Sequence, residues 1–247
     1  GGAYEPGDVE RLVDEKTRVV ALSSVVFHNG FAPDLDAIGA ICDRRGILFC
    51  VDAIQSVGAL PIDVRRSRIS FLAADGHKWL CGPEGAAIFY VAHEHRQKLR
   101  VIEYGWTNIE RRGKFLDAST DLLPDARRFE AGSLNTNGIY GLRAAIDLIF
   151  EIGLPAIAEE VVRITSLLAR GLEDAGLTLG SPLPIRSGIV GATPPAAEGV
   201  TLIKVHRRLE ELGIVCSPRE GMLRFSPPFY NDEGDVNRVT QAFARLG

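Results

Sequence analysis

The chain has 247 residues, of which 46% are hydrophobic and 24% are charged, an ordinary balance for a globular protein with one large domain or a large and a small one. The formal net charge of −4 gives no reason to expect nucleic acid or an acidic membrane surface as a partner. No apolar run approaches a membrane span, and no signal peptide is visible. The four cysteines lack CxxC and zinc-site spacing, so we expect free thiols in a reducing cytoplasm and no metal site.

Helical and strand patterns alternate along the first ninety residues. The stretch DVERLVDEKT places Val9, Leu12 and Val13 on one helical face, with Asp8 as the expected N-cap. A second helical pattern, PDLDAIGAICDRRG, is expected to end at Gly46. Apolar runs predict four strands: RVVALSS, ILFCVDA, SFLAAD and AAIFYV, the last two as a hairpin. This alternation predicts a mainly parallel α/β sheet that is covered on both faces.

The second half of the chain has a different rhythm. Residues 92–137 are rich in charge and turn formers, which predicts irregular structure near a site or a subunit interface. A long helical pattern runs from Ile139 to Leu172 with a break at residues 153–155. Two helices, TLIKVHRRLEEL and DEGDVNRVTQAFARL, then alternate with short strands in IVG, GIVCSP and MLRFSPPFY. We therefore predict a large domain over residues 1–154 and a small α/β domain over residues 155–247.

Polar residues end three successive predicted strands. These are Ser23 and Ser24, then Asp52 followed by Gln55, and then the run Asp75-Gly76-His77-Lys78. Ligands bind beyond the carboxyl ends of parallel strands, so these residues are expected to share a pocket. Burial makes a lysine amine a nucleophile and a Schiff-base former. A carboxylate that keeps a pyridine nitrogen protonated beside such a lysine is what pyridoxal phosphate needs.

Four stretches together resemble the class V aminotransferase family of pyridoxal-phosphate enzymes: VDAIQSVGALPIDV, FLAADGHKWLCGPEGAAIFYV, RFEAGSLNTNGIYGL and MLRFSPPFYNDEGDV. That family includes cysteine desulfurases, selenocysteine lyases, isopenicillin N epimerase-like proteins and kynureninase-like proteins. The resemblance covers essentially the whole chain. It implies the aspartate-aminotransferase fold (fold type I), pyridoxal 5'-phosphate as cofactor, an amino acid substrate and a homodimer with shared active sites. It also implies that the N-terminal part of the large domain, with its main phosphate-binding loop, is missing from this chain.

The resemblance assigns chemical roles to four residues. Lys78 matches the Schiff-base lysine, whose freed amine is the general base at the substrate Cα. Asp52 matches the acid that pairs with the pyridine nitrogen, and Gln55 matches the side chain that hydrogen-bonds the phenolic oxygen. Arg224 matches the arginine that binds the substrate α-carboxylate, a task suited to its planar guanidinium.

The resemblance also assigns residues around the cofactor. His77 matches the histidine beside the lysine, which helps to hold the phosphate, and Ser24 matches a polar residue near the ring. Gly132 and Ser133 match an element that reaches the phosphate of the neighbouring subunit. Asp75 stands where many relatives have a phosphate-binding serine, and an acid there would repel the phosphate unless it faces away or is itself paired.

The reaction stays open among several alternatives. Transamination, β-elimination and epimerisation share this machinery, and we favour an aminotransferase-like or lyase-like enzyme. Cysteine desulfurases need a cysteine on a loop before the carboxylate-binding arginine. Here Cys216 lies eight residues before Arg224 in a predicted strand, so we rank a desulfurase or selenocysteine lyase second and expect Cys216 to be a packed residue. A catalytically inactive scaffold or binding protein of the same fold is the alternative of another class.

Each candidate residue also has an ordinary structural interpretation, against which its functional role must be weighed. The alternatives are a surface turn for Lys78, an N-cap for Asp52, a solvated side chain for Gln55, a structural histidine for His77, a strand-end hydroxyl for Ser24, a turn or cap for Gly132 and Ser133, and a surface ion pair with Glu220 or Asp232 for Arg224.

Overall fold

The computed structural model describes residues 2–111, 116, 120–196 and 201–244. Within these residues no helix combines the length and the apolar character needed to cross a membrane. The first part of the chain forms two helices and four strands: α1 (Pro6–Leu12), β1 (Val19–Ser23), α2 (Leu35–Arg45), β2 (Leu48–Asp52), β3 (Phe71–Asp75) and β4 (Ala87–Val91).

The first sheet has the strand order β1-β2-β3-β4. Strands β1, β2 and β3 are parallel, and β4 pairs with β3 in the antiparallel sense, which confirms the predicted hairpin. In the register of the sheet, Ser23 lies opposite Asp52, and Asp52 lies opposite Ala73. The carboxyl ends of three strands therefore meet at one edge, as the sequence predicts.

Helix α1 begins at Pro6, three residues earlier than a helix capped by Asp8 would begin. Its N-cap is Glu5, so the prediction that Asp8 caps the helix is wrong. Asp8 lies in the first turn, and its carboxylate accepts a hydrogen bond of 2.7 Å from the Glu5 backbone N–H. This is the reciprocal half of a capping box, in which an acid three residues into the helix satisfies a free backbone donor.

Helix α2 ends at Gly46, as its sequence predicts, and begins after the N-cap Asp34. The Asp34 carboxylate accepts a hydrogen bond of 2.9 Å from the Ala37 N–H, and Gly46 ends the helix in the left-handed conformation with φ of 66°. The buried face of α2 packs on the sheet through Ile38 and Ile41, which meet Phe49 in a shared apolar cluster.

The middle of the chain contains two short 3₁₀ helices and two long α-helices. The 3₁₀ helices span His93–His95 and Ala126–Phe129, and the α-helices are α3 (Thr136–Ile152) and α4 (Leu154–Asp174). The predicted break between the long helices is confirmed at Gly153, which has φ of 94°. Helix α4 joins two apolar clusters: its Ile157 packs with the cluster of Leu80, and its Ile164 packs with the cluster of the second sheet.

The last part of the chain forms a second, antiparallel sheet with the order β5-β6-β8-β7. Its elements are β5 (Thr178–Leu179), β6 (Val190–Thr193), α5 (Leu202–Glu211), β7 (Ser217–Arg219), β8 (Met222–Phe225) and α6 (Glu233–Ala244). Strand β5 is not predicted by the sequence. Strand β7 begins only after Cys216, so the predicted strand over GIVCSP is displaced toward the C-terminus. The division into domains at residues 154 and 155 stays a prediction.

Candidate active site

Asp52 ends β2 with its carboxylate exposed at the sheet edge. One carboxylate oxygen, Oδ1, accepts a hydrogen bond of 3.0 Å from the Ile54 backbone N–H, which closes the turn after the strand. The backbone carbonyl of Asp52 accepts a hydrogen bond of 2.9 Å from the Ser24 N–H. The turn therefore holds the carboxylate in place and leaves it open to a ligand. Asp52 can thus bind both the backbone of its own turn and a cofactor.

Ser24 is buried, and its hydroxyl is engaged within the protein. The Ser24 and Ser56 hydroxyl oxygens lie 2.6 Å apart, and the Ser56 hydroxyl donates to the Ala53 carbonyl. The Ser24 hydroxyl also lies 3.2 Å from the Asp52 carbonyl oxygen. These contacts support its structural interpretation, and a cofactor contact of Ser24 stays a prediction.

The turn that follows β3 carries the lysine and the histidine. The Gly76 N–H donates to the Ala86 carbonyl at 2.8 Å, and the Lys78 carbonyl accepts from the Cys81 N–H at 2.9 Å. A Cβ at Gly76 would lie 2.6 Å from the Ala86 carbonyl oxygen, so only glycine fits this turn. The side chains of His77 and Lys78 are exposed. Lys78 lies on the turn beyond the strand with its side chain accessible, and its role as the Schiff-base lysine stays a prediction.

Asp75 is not isolated at this edge. Its Oδ2 atom lies 3.9 Å from Nε2 of His77, and both side chains are partly exposed. The acid that stands in place of a phosphate-binding serine is thus next to an imidazole, which is a cation when protonated. A partner within the turn is one of the two conditions named above for an acid at this position.

Gln55 is buried and is oriented by a tryptophan that the sequence does not single out. The indole Nε1–H of Trp79 donates a hydrogen bond of 3.2 Å to the Gln55 Oε1 atom. Because the carbonyl end of the amide is occupied, the NH₂ end is left as a donor. Trp79 itself is held closely: a Cβ at Gly58 would lie 2.4 Å from its carbonyl oxygen, and a Cβ at Gly188 would lie 2.3 Å from its ring.

Arg224 lies on β8 and is half-buried. Its Nη1 atom donates a hydrogen bond of 3.3 Å to the Phe27 backbone carbonyl. Among the described residues it forms no ion pair with Glu220 or Asp232, and its buried Nε atom has no hydrogen-bond partner. Burial, and then the nearby charge of Arg219, lower the pKa of the Arg224 guanidinium. A half-buried cation with an unsatisfied donor is a favourable place for an anion.

The loop after β1 connects Arg224 to the strand-end edge. Gly30 in this loop has φ of 70°, and its carbonyl accepts a hydrogen bond of 2.7 Å from the Ser187 hydroxyl. A Cβ at Gly30 would lie 2.1 Å from the Ile189 carbonyl oxygen. The loop over residues 24–34 therefore starts beside Asp52, at Ser24, and packs closely against the segment before β6 and against Arg224 of β8.

Gly132 and Ser133 are exposed, and a Cβ at Gly132 would meet nothing within 4 Å. The Gly132 carbonyl accepts a hydrogen bond of 3.1 Å from the Thr107 hydroxyl. In the described part of the chain no hydrogen bond joins either residue to His77 or Lys78. Their accessible position suits contact with a second subunit, which stays a prediction.

Cys216 is buried in the apolar cluster of the second sheet, as expected for a packed residue. Burial, and then the nearby Glu210 carboxylate, raise the pKa of its thiol to about 11. The thiol is therefore protonated at neutral pH, which is the unreactive state of a cysteine.

These side chains fit the chemistry of pyridoxal phosphate. The edge offers an exposed amine, an exposed carboxylate held by its turn and a buried amide whose NH₂ is left to donate. The unsatisfied Nε of Arg224 is suited to a carboxylate.

Comparisons with known proteins agree with this geometry. A family model described as aminotransferase class-V matches residues 1–239. The uncharacterized aminotransferase YcbU of Bacillus subtilis is 30% identical over 237 residues, which are 95% of this chain and 61% of that protein. A probable cysteine desulfurase of Methanothermobacter thermautotrophicus is 36% identical over 171 residues, which are 68% of this chain and 41% of that protein.

The fold is shared with a solved cysteine desulfurase from Thermococcus onnurineus NA1, with a TM-score of 0.89 and 25% identity over 99% of this chain and 63% of that one. This likeness confirms the predicted aspartate-aminotransferase fold. The chain spans less than two thirds of the length of these relatives. The family match over nearly all of its residues, together with the strand-end site, shows that the chain belongs to the class V aminotransferase family.

Proposed function

We propose that the protein is a pyridoxal-phosphate-dependent enzyme that acts on an amino acid, with an aminotransferase-like or lyase-like reaction. The observation that carries this proposal is the meeting of Asp52 and the Lys78 turn at one sheet edge, with a half-buried, unsatisfied Arg224 joined to that edge by the loop after β1. When bound, pyridoxal phosphate supplies a ring that accepts electrons released at the substrate Cα.

Four residues of this chain are proposed to have separate roles around that ring. Lys78 would hold the cofactor, and its amine would act as the base that takes the proton from the substrate Cα. Asp52 would hold the ring nitrogen, and Gln55 would offer its NH₂ to the ring oxygen. Arg224 binds the substrate α-carboxylate through its guanidinium.

We assign the phosphate to His77, with Asp75 beside it. Gly132 and Ser133 are proposed to reach the phosphate of a second subunit, so the enzyme would be a homodimer. We further propose a cytoplasmic location, which the four free thiols support.

An absorption spectrum tests the proposal. Pyridoxal phosphate added to the purified full-length protein should give a visible band at about 420 nm. The Lys78→Ala variant should lack this band. The control Lys98→Ala, which removes an exposed lysine 20 residues after Lys78, should keep it. The absence of a band in the full-length protein would leave the scaffold alternative as the better description.

Cysteine desulfurase is the second candidate, because a relative named as a probable cysteine desulfurase is 36% identical. The buried, protonated thiol of Cys216 argues against it for this chain. We expect any release of sulfide from cysteine to be the same in Cys216→Ala as in the unmodified protein. Release that depends on Cys216 would reverse this ranking.

A further inference from the structure

We propose that Phe27 determines substrate specificity by forming an apolar wall beside Arg224, and that the substrate is an amino acid with an apolar side chain. This inference rests on the proposed function, because it uses Arg224 as the carboxylate-binding residue. It adds the class of side chain, which the family match does not assign and which differs from the cysteine in the names of two of the relatives.

The first step is the position of Phe27. Its backbone carbonyl accepts the 3.3 Å hydrogen bond from Nη1 of Arg224, so the residue lies directly at the guanidinium. The α-carboxylate and the side chain of an amino acid leave the same carbon atom. A substrate whose carboxylate binds Arg224 must therefore place its side chain within a few ångström of the loop that carries Phe27.

The second step is the exposure of the Phe27 ring. The residue is 45% exposed, although burying a phenylalanine side chain is worth about 1.5–3 kcal/mol. The loop around it is rigid, because the Val26 N–H donates to the Phe31 carbonyl at 2.8 Å and the Gly30 N–H donates to the Val26 carbonyl at 2.9 Å. A loop held by these hydrogen bonds, with an exposed aromatic side chain on the residue whose carbonyl binds Arg224, has the form of a binding wall.

The third step is the lack of charge in this wall. Residues 25–31, VVFHNGF, contain no Asp, Glu, Lys or Arg. The ring of His28 packs edge-on against Phe27 with centroids 5.3 Å apart. An acidic or basic side chain would gain no ionic partner from an acid, lysine or arginine of residues 25–31, whereas an aliphatic or aromatic one would gain contact area.

The experiment measures binding of a series of amino acids to the cofactor-loaded, full-length protein. Each amino acid is titrated against the absorption band at about 420 nm, using leucine, phenylalanine, alanine, aspartate and cysteine. We expect leucine and phenylalanine to bind most tightly. Phe27→Ala should weaken binding of these two by about tenfold and change alanine by less than about twofold. Phe27→Leu should recover most of the affinity for leucine.

The matched control is Phe89→Ala, which removes another exposed phenylalanine on β4 and should change none of the affinities. A second measurement does not depend on the cofactor: isothermal titration of 3-phenylpropanoate and of acetate into the cofactor-free protein. We expect Phe27→Ala to weaken 3-phenylpropanoate about tenfold and to leave acetate unchanged.

The outcomes separate the two proposals. If no band forms, the proposed function fails, and the titration of 3-phenylpropanoate alone decides the role of Phe27. If the band forms and depends on Lys78, the proposed function stands. In that case, two results would overturn the inference. One is that Phe27→Ala weakens the binding of all five amino acids equally, and the other is that the unmodified protein binds aspartate or cysteine most tightly.

Discussion

Trp79 decides which end of the Gln55 amide faces the candidate site. Its indole N–H donates to the Gln55 carbonyl oxygen at 3.2 Å, and its ring is held against Gly188, two residues before β6. We therefore regard Trp79 as a positioning residue, which acts on a ligand through another side chain.

Trp79→Phe keeps the apolar ring and removes the hydrogen bond. We expect the affinity for pyridoxal phosphate to fall by about five- to twentyfold, because the Gln55 amide is free to rotate, while the free energy of unfolding falls by about 1 kcal/mol. Cofactor titration and denaturant unfolding measure the two effects. Trp106→Phe is the control, since Trp106 is the other tryptophan and is exposed. Equal losses of cofactor affinity in both variants would show that the hydrogen bond has no positioning role.

The Cys216 thiol is expected to resist alkylation. With its pKa raised to about 11 by burial, only about one molecule in a thousand carries the thiolate at pH 8. Iodoacetamide labelling at pH 8, followed by peptide mass spectrometry, should modify the exposed Cys81 well before Cys216. Labelling of Cys216 at the rate of Cys81 would contradict the buried, protonated state.

Among the single residues, those in contiguous motifs could be predicted and those that act through distant contacts could not. Lys78 and Asp52 follow apolar runs at strand ends, a pattern visible in the sequence alone. The bond between Trp79 and Gln55 spans 24 residues, and the bond between Arg224 and Phe27 spans 197. Neither spacing has a periodic signature, so only the folded chain shows these pairs.

At the level of elements, the loop after β1 is the part that joins the two sheets. The Gly30 carbonyl accepts a hydrogen bond from the Ser187 hydroxyl. A side chain at Gly30 would have no room beside the Ile189 carbonyl. The helices and strands on either side could be predicted from their apolar patterns. The packing of this loop could not, because it depends on how two separately formed sheets meet.

Gly30→Ala tests this contact. The new Cβ would be strained by φ of 70° and would lie 2.1 Å from a backbone oxygen, so we expect the free energy of unfolding to fall by about 2–4 kcal/mol. Gly46→Ala is the matched control, because Gly46 has a similar φ of 66° but nothing within 4 Å of the added Cβ; it should cost about 1 kcal/mol. Denaturant unfolding measures both. Equal losses of unfolding free energy in the two variants would show that the backbone moves away from the new Cβ at Gly30 without a further cost.

For the whole molecule, the exposed surface is large. The chain has an accessible surface of 14428 Å², whereas a folded monomer of 26.8 kDa is expected to have about 10,800 Å². Part of this surface is apolar and lies along α3, where Tyr140, Leu148 and Phe150 are exposed. Patches of this kind are characteristic of surfaces that other protein covers.

We expect the α3 surface to be covered by other protein in the assembled, full-length protein. Phe150→Glu in the full-length protein would then bury an unpaired charge and should lower the melting temperature by about 5–10 °C. Leu12→Glu is the control, since Leu12 is 82% exposed at the end of α1 and Phe150 is 72% exposed. Thermal unfolding measures both, and equally small shifts would show that α3 faces water.

The contact between Gly30 and Ser187 also sets a rule for recombining this chain with its relatives. An exchange of the C-terminal unit alone would separate Ser187, Ile189 and Arg224 from the loop that they are shaped to meet. With the roles proposed for Phe27 and Arg224, a chimera that keeps both has to transfer residues 24–34 together with the second sheet, although more than a hundred residues of chain lie between them. The proposed unit of specificity is therefore discontinuous in sequence.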